Sequence, residues 1–303
     1  KYRKFTALNK ALDYLNSIIF PIVIKADGLA AGKGVVICKN FNEAEETIKL
    51  IMEKKKFGDA GKTIIIEEFI DGFEISYFSF FDKKNFLPLG YALDHKRAFD
   101  NDLGPNTGGM GCFTPSKKVS KNLEKKIIKN IIEKTFLGFK KENFTYRGVL
   151  FFGLMIKNNE PYVIEYNVRF GDPECQTLLR KLKTDFLKIL TSITKDELEK
   201  IQITKSRKSV VCVVLASKGY PELYEKEILI PNLKKIEDDE RTIIFHAGTK
   251  TLSSNFFSNG GRVLSVTSTG KNIEEARKSA YKVLKKLNWK NGFYRKDIGF
   301  KNF

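Results

Sequence analysis

The sequence predicts an α+β fold with largely antiparallel sheets and flanking helices, followed by a small α/β domain at the C-terminal end. Apolar and β-branched runs follow one another across short turns such as Asp71-Gly72 and residues 83–85, which favours antiparallel pairing. Between other runs, apolar residues recur at three- and four-residue steps, as they do in amphipathic helices. A polar break at residues 194–208 precedes a second β-rich stretch, so we place a domain boundary near residue 205.

Each element has its own signal. The first part predicts a helix, then two strands on either side of a glycine loop, then a helix that Asn42 and Glu45 would cap. The middle predicts three strands joined by tight turns, a long polar loop, a lysine-rich helix, a hairpin across Asn158-Asn159 and one further helix. In order, these elements occupy residues 1–20, 21–26, 35–38, 42–57, 63–69, 73–81, 86–93, 94–115, 117–141, 148–157, 161–170 and 175–193.

Composition excludes several classes of protein. Of the 303 residues, 42% are hydrophobic and 12% aromatic, far too many for a disordered chain. No apolar run approaches the roughly 18 residues that cross a bilayer, and the first residues show no signal-peptide pattern, so we expect no membrane partner. Four widely spaced cysteines form neither a disulfide framework nor a zinc motif, so we expect a soluble cytoplasmic protein.

The net charge of +18 would be typical of a nucleic-acid-binding protein. However, nine lysines and only two glutamates lie between Lys117 and Lys141, where the apolar residues have helical spacing. Those lysines therefore occupy the solvated face of one helix. Because lysine is also frequent throughout the chain, we expect no nucleic-acid partner, and a basic nucleic-acid-binding protein is an alternative.

A glycine-rich loop between Lys25 and Gly34 is the first motif with chemical meaning. Its glycines allow backbone N–H groups to approach phosphate oxygens, and Lys25 and Lys33 supply positive charge. The loop is not a P-loop, because it joins two strands rather than a strand and a helix. A flexible hairpin tip is the alternative interpretation.

A second motif is the acidic end of the strand at residues 63–69. Glu67 and Glu68 precede Phe69-Ile70, and Glu74 begins the next strand. Carboxylates here would accept hydrogen bonds from a nucleoside, and the backbone would read the edge of the base. An exposed acidic strand end would show the same pattern.

The sharpest motif runs from Val163 to Glu174. Strand alternation puts Val163, Glu165, Asn167 and Arg169 on one face. Glutamate and asparagine oxygens suit Mg²⁺ whose coordination is completed by nucleotide phosphates, and they do not suit zinc. Arg169 would bind a phosphate or a carboxylate. The alternative is a half-buried strand with one solvated face.

A long loop supplies the fourth motif. Residues 94–97 and 102–111 combine potential hydrogen-bond donors with several glycines, a composition suited to enclosing an anionic or polar small molecule. A plain surface loop is the alternative, although loops of this length are usually functional. His95 and His246 are the only histidines, so a zinc site or a histidine-based hydrolase is not expected.

Together these motifs resemble the phosphoribosylamine–glycine ligase (glycinamide ribonucleotide synthetase) family of ATP-grasp enzymes. The resemblance covers nearly the whole chain and rests on residues 21–34, 57–61, 66–70, 94–97, 104–111, 165–174, 245–250, 259–263 and 295–299. It implies an ATP-grasp domain over residues 1–204, with a small lid subdomain at about 9–80 and a larger catalytic subdomain at about 81–204. A C-terminal domain would occupy residues 205–303.

The resemblance implies that ATP phosphorylates the carboxylate of glycine, and that the amine of 5-phosphoribosylamine attacks the glycyl phosphate. It assigns ATP to Lys25, Gly28, Ala31, Gly32, Lys33, Gly34, Glu67, Glu68, Phe69, Ile70 and Glu74. It assigns Mg²⁺ or Mn²⁺ to Glu165 and Asn167. It assigns the substrates to Asp94, His95, Lys96, Arg97, Asn106, Gly108, Gly109, Met110, Gly111, Arg169, Asp172 and Pro173, with Arg169, Asp172 and Lys96 as catalytic residues.

One family feature has no counterpart in these 303 residues. Family members begin with a Rossmann-like domain that contributes to the phosphoribosylamine site, followed by a lysine that would touch ATP. Since the sequence also lacks an initial methionine, we expect a piece of a longer protein that binds nucleotide but turns over poorly alone. We expect a monomer, and the alternative to a ligase is a nucleotide-binding module without catalysis.

Overall fold

A computed structural model describes residues 1–28, 30, 34–236 and 239–300, and the chain divides into two units, Lys1–Asp71 and Gly72–Phe303. The strands are β1 Tyr2–Phe5, β2 Ile22–Ala26, β3 Val35–Cys38, β4 Ile64–Glu68, β5 Phe73–Phe81, β6 Phe86–Asp94, β7 Arg97–Phe99, β8 Leu103–Asn106, β9 Gly111–Thr114, β10 Gly148–Lys157, β11 Glu160–Asn167, β12 Ser209–Ser217, β13 Thr242–His246, β14 Thr249–Leu252, β15 Asn255–Ser258, β16 Arg262–Gly270 and β17 Gly292–Phe293. The helices are α1 Leu8–Leu15, α2 Phe41–Ile48, α3 Lys121–Ile127, α4 Glu133–Lys141, α5 Glu174–Lys181, α6 Phe186–Lys195 and α7 Ile273–Leu287.

The first unit is a four-stranded antiparallel sheet in the order β1-β4-β2-β3, with α1 and α2 against one face. Alternate residues of β2 face the helices, so Ile22 and Ile24 are buried while Val23 and Lys25 lie on the other face. The sheet therefore presents one polar face, which carries the lysine of the first motif.

Three sequence predictions in or beside the first unit are wrong. The helix predicted over the first twenty residues is shorter, because residues 2–5 form β1 and pair with β4. The cap of α2 is Asn40, whose side chain accepts the Glu43 amide at 3.0 Å, rather than Asn42 with Glu45. The same three-residue spacing occurs two positions earlier, and Glu43 reaches back to accept the amide of Lys39, the residue before the cap, at 2.8 Å. The strands around Asp71-Gly72 form no hairpin, because β4 pairs with β1 and β2 whereas β5 pairs with β6 and β10.

The second unit is built on a nine-stranded sheet in the order β11-β10-β5-β6-β9-β12-β16-β13, with β17 beside β12. The lysine-rich helix was predicted correctly as one helical run: α3 and α4 are joined through a π-helical turn, Ile128–Ile132. Its apolar face, with Leu123 and Ile127, packs on β5 and β10. Lys121, Lys125 and Lys129 are exposed, as the helical spacing predicts.

Two further predictions need correction in this unit. The loop predicted at residues 94–115 contains three short strands, β7, β8 and β9. The helix predicted at 175–193 is two helices, because Asp185 caps α6 by accepting the Leu187 amide at 2.8 Å. The hairpin across Asn158-Asn159 is confirmed, and both asparagines adopt positive φ.

Strand β9 joins the two halves of the large sheet. It pairs with Leu93 and Asp94 of β6 on one side and with Val210–Val213 of β12 on the other. Backbone hydrogen bonds therefore run without interruption from the residues before position 205 to those after it. No helix among the described residues is both long and apolar enough to cross a membrane.

Candidate active site

In the first unit, the nucleotide residues predicted on β2 and β4 form an ion pair. Lys25 Nζ lies 2.7 Å from Glu67 Oε2, and both side chains are half-buried. The register places Val23 opposite Glu67, so Lys25 reaches it diagonally across the strand pair. The Glu68 amide donates to the Lys1 carbonyl at 3.0 Å. The next two residues of the motif are half-buried: Phe69 and Ile70.

Gly28 and Gly34, in the glycine-rich loop, are held by close backbone contacts. The Gly28 amide donates to the Ala60 carbonyl at 3.1 Å, and a Cβ on Gly28 would lie 2.5 Å from Ala60 Cα. The Gly34 carbonyl accepts the Ala26 amide at 2.9 Å. These contacts require glycine at position 28. Three residues predicted to bind ATP in this loop lie outside the described residues: Ala31, Gly32 and Lys33.

In the second unit, Lys96 is the centre of an acidic group. Its Nζ lies 2.7 Å from Glu74 Oε2. Burial acts to lower the pKa of Lys96, but the charges of Glu74, Glu165 and Asp94 outweigh it and raise that pKa. The structure thus brings together Glu74, predicted for the nucleoside, Glu165, predicted for the metal, and Asp94 and Lys96, predicted for the substrates. These carboxylates keep the Lys96 ammonium protonated.

The predicted metal ligands Glu165 and Asn167 lie at the end of β11, two positions apart. The Glu165 side chain packs over Gly153 of β10, where a Cβ would lie 2.6 Å from Glu165 Cγ. Both offer oxygen, although no group of three or more His, Cys, Asp or Glu in the described residues is arranged to hold a metal ion. Two side-chain oxygens are nevertheless the small protein contribution that Mg²⁺ accepts when phosphates and water complete its shell.

The predicted alternation along this strand is wrong at both ends. Consecutive residues Gly153 and Leu154 face Glu165 and Val163, so a β-bulge lies at Ile164. As a result Val163 packs with the α3–α4 helical run, away from the face predicted for it. The strand also ends at Asn167, so alternation does not extend to Arg169, which is exposed and donates to the Phe170 carbonyl at 2.8 Å.

Two carboxyls near Lys96 have little contact with solvent: Glu174 is buried and Asp94 is half-buried. Glu174, the first residue of α5, is 4% exposed and accepts a hydrogen bond from Ser76 Oγ at 2.8 Å. Burial raises the pKa of Glu174 and raises that of Asp94 well above its usual range. Sequence reasoning missed Ser76 and Glu174 as site residues; an acidic residue in the first turn of a helix was the available signal for Glu174.

Backbone hydrogen bonds shape the glycine-rich loop. The His95 amide donates to the Gly111 carbonyl at 2.9 Å, and the Met110 amide donates to the His95 carbonyl at 2.8 Å. Gly109 has φ +116°, and a Cβ there would lie 2.6 Å from Pro173 Cδ and 2.9 Å from Asp94 Oδ1. The loop backbone therefore lies against two predicted substrate residues. Two others, Arg97 and Asn106, are exposed and face each other across β7 and β8.

Asp172 is held by an arginine that the sequence did not indicate as a site residue. Arg262 Nη2 lies 3.1 Å from Asp172 Oδ2, and Nη1 donates to the Gly108 carbonyl at 3.0 Å. Gln176 Nε2 donates to the other Asp172 oxygen at 2.9 Å. The Gly-Gly-Arg signature at residues 260–262 was the available signal for Arg262.

A second unpredicted arginine ties the loop to the end of the chain. Arg295 is 1% exposed and donates to both Asp297 oxygens, at 2.8 and 2.7 Å. It also lies 2.9 Å from Asp102 and donates to the Arg97 carbonyl at 3.1 Å. Burial acts to raise the pKa of Asp297, but the hydrogen bonds from Arg295 outweigh it and hold that pKa well below its usual range.

His95 lies beside this cluster and predicts a pH dependence. Burial, and then the charge of Arg295, lower its pKa from 6.5 to about 4. The unfolded chain therefore binds more protons than the folded chain between these values, so stability falls as pH falls from about 6.5 to about 4. The loss is roughly 2–3 kcal/mol, because one pKa unit corresponds to about 1.4 kcal/mol.

The substitution His95→Gln is expected to flatten the pH dependence of the unfolding free energy in this window, as measured by denaturant titration. His246→Gln is the matched control, because His246 is the other histidine and its side chain is exposed. Equal slopes for His95→Gln and the unaltered chain would contradict this assignment.

Comparison with known proteins identifies the family of this chain. The family described as phosphoribosylglycinamide synthetase, ATP-grasp (A) domain, matches residues 1–175, and the C domain of the same synthetase matches residues 210–301. A phosphoribosylamine–glycine ligase of Fusobacterium nucleatum is 46% identical over 300 residues, which cover 99% of this chain and 70% of that protein. The chloroplastic ligase of Arabidopsis thaliana is 45% identical over 305 residues, covering 99% and 57% respectively.

The architecture agrees as well. The crystal structure of phosphoribosylamine–glycine ligase from Thermotoga maritima superposes with a TM-score of 0.85 at 35% identity, covering 98% of this chain and 74% of that one. The α+β prediction and the ATP-grasp fold are thereby confirmed. This chain belongs to the phosphoribosylamine–glycine ligase family.

Proposed function

We propose that this protein joins glycine to 5-phosphoribosylamine at the expense of ATP, giving glycinamide ribonucleotide, ADP and phosphate in purine biosynthesis. Its similarity to an ATP-dependent ligase family over 99% of its length carries this conclusion. A carboxylate resists attack by an amine until one of its oxygens can leave. Transfer of the γ-phosphoryl group to glycine supplies that leaving group, and attack by the amine then expels phosphate.

In the first unit, we assign the nucleotide to the polar face of the small sheet. Lys25 and the glycine loop would neutralise the ATP phosphates, and Glu67, Glu68, Phe69 and Ile70 would contact the nucleoside. The Lys25–Glu67 ion pair supports this role, because it holds the ammonium in one position before the phosphate binds.

In the second unit, we assign glycine and phosphoribosylamine to the loop at residues 94–111 and to Arg169, Asp172 and Pro173. Lys96 would stabilise the anionic carboxylate and the acyl phosphate that forms from it. The neighbouring carboxylates support this role, because they raise the pKa of Lys96 and so keep its positive charge.

Glu165 and Asn167 are the residues that would hold Mg²⁺ or Mn²⁺. Their oxygen donors lie two positions apart at a strand end, in reach of solvent and therefore of phosphate and water. Once bound, the metal would neutralise charge on the transferring phosphoryl group. We further propose that the protein is a cytoplasmic monomer whose ATP-grasp and C-terminal domains meet near residue 205.

The decisive experiment measures phosphate release by the intact gene product with ATP, with each substrate omitted in turn. Release is expected only when glycine and phosphoribosylamine are both present. Release that requires neither substrate would contradict the ligase assignment. Nucleotide binding without release under any of these conditions would instead indicate a binding module.

Replacement of Lys25 by methionine tests the nucleotide assignment. We expect ATP affinity to fall by roughly 10-fold, because a charge-assisted contact to phosphate is lost while the apolar stem is kept. Isothermal titration of ATP without glycine measures this directly. Lys39→Met is the control, since Lys39 is an exposed lysine just beyond β3, and equal affinities in the two variants would refute the role of Lys25.

A further inference from the structure

Arg262, the first residue of β16, has a set of partners that general surface packing does not explain. Its Nη1 donates to the carbonyl oxygens of Gly108, Gly109 and Asp172, at 3.0, 3.3 and 2.5 Å. Its Nη2 lies 3.1 Å from Asp172 Oδ2. All four acceptors belong to two segments proposed above to bind glycine and phosphoribosylamine, and these segments are far apart in sequence.

Tyr220 also binds the loop at Gly108. The Gly108 amide donates to Tyr220 Oη at 3.2 Å, so the residue that gives its carbonyl to Arg262 gives its amide to Tyr220. The Tyr220 ring packs directly on the backbone of Gly261, where a Cβ has no room. Tyr220 and Arg262 therefore act on the same residue of the loop, Gly108.

The loop needs such external support. Gly108 and Gly109 have no side chains with which to anchor themselves, and glycine loses more conformational freedom on ordering than any other residue. Two hydrogen bonds to the peptide groups of Gly108, and one to the carbonyl of Gly109, fix the segment from outside. Asp172 keeps 45% of its side chain exposed although it is paired, so its carboxylate remains accessible to a ligand.

We propose that Arg262, with Tyr220, is a positioning residue for the substrates other than ATP. It aligns the Gly108–Gly109 backbone with the Asp172 carboxylate. The inference rests on the proposed ligase function. It predicts two different effects. Loss of Arg262 should weaken productive binding of glycine or phosphoribosylamine and leave ATP binding little changed, because the partners given above for Arg262 are Gly108, Gly109 and Asp172.

The test compares steady-state kinetics of the intact gene product carrying Arg262→Met with those of the unaltered protein. The expected result is a KM for glycine or phosphoribosylamine raised at least roughly 10-fold, with the KM for ATP changed less than about 2-fold. Arg262→Lys keeps the charge but not the planar fork, so it should recover only part of the loss. Tyr220→Phe should give a smaller change in the same substrate KM.

A matched control distinguishes positioning from support of the fold. Arg277→Met removes another guanidinium that donates to backbone carbonyls, those of Ile298 and Lys296 at 2.6 and 2.9 Å. Among the described residues, its hydrogen bonds and ring contacts do not involve the loop at residues 94–111. It should leave every KM unchanged. Equal changes in all KM values, or none, in a folded Arg262→Met protein would overturn the inference. Inactivity of the unaltered protein with both substrates would overturn the ligase assignment instead.

Discussion

Turnover of the Glu165→Gln protein is expected to fall by at least roughly 100-fold, the largest effect on activity that the structure predicts. Glutamine keeps the shape of the side chain over Gly153 but removes the negative charge that would hold the metal. The same charge contributes to the raised pKa of Lys96, so the change also weakens the electrostatic support of that ammonium. Phosphate release at saturating substrates, titrated with Mg²⁺, measures the loss.

Glu160→Gln provides the control for this experiment. Glu160 begins the same strand and pairs with Lys126, away from Lys96 and the loop. We expect its activity to stay within about 2-fold of the unaltered protein, as for most surface substitutions. If Glu165→Gln and Glu160→Gln were equally active at every Mg²⁺ concentration, Glu165 would be only a solvated strand residue.

The largest expected effect on stability follows removal of Arg295. Arg295→Met leaves Asp297, which is only 12% exposed, as a buried carboxylate without its partner. Breaking one side of a buried ion pair costs about 3–5 kcal/mol, whereas replacing both sides with apolar residues is often neutral. We therefore expect a loss of that size for Arg295→Met and substantial recovery for Arg295→Met with Asp297→Leu. Denaturant titration at neutral pH measures both.

The comparison for Arg295 is Arg241→Met. The Arg241 side chain is 67% exposed and lies 3.8 Å from Glu275, a geometry worth at most about 1 kcal/mol. A similar loss for Arg241→Met and Arg295→Met would show that the buried position of Arg295 has no special weight. Failure of the double substitution to recover stability would show that the contacts of Arg295 with Asp102 and Arg97, and not its ion pair with Asp297, carry the effect.

Local chemistry made part of the fold predictable. The turn at Asn158-Asn159 was identified because asparagine tolerates positive φ, and the lysine-rich helix because its apolar spacing is regular. The cap of α2 was misplaced because two Asn-to-Glu pairs with equal spacing overlap there, and only packing chooses between them. The pairing partners of β4 and β5 could not be predicted, because the local sequence does not indicate which sheet a strand joins.

The candidate site divides in the same way. Glu165, Asn167 and Lys25 lie in compact motifs, so residue chemistry and spacing indicated them. Arg262 acts on the carbonyl of Gly108, 154 positions away in sequence, and its hydrogen-bonding partners are backbone atoms as well as a carboxylate. Interactions of that kind leave no periodic pattern. The bulge at Ile164 escaped prediction for the opposite reason, because one extra residue is invisible in an otherwise regular strand.

Strand β9 has a practical consequence for dividing the chain. A protein cut near residue 205 would leave Gly111–Thr114 as an unpaired edge on one fragment and Val210–Val213 on the other. Both segments are fully buried here. Each fragment would therefore expose an apolar edge strand with unpaired backbone N–H and C=O groups, which favours self-association. The C-terminal region is therefore a poor candidate for separate expression, even though the sequence marks a boundary there.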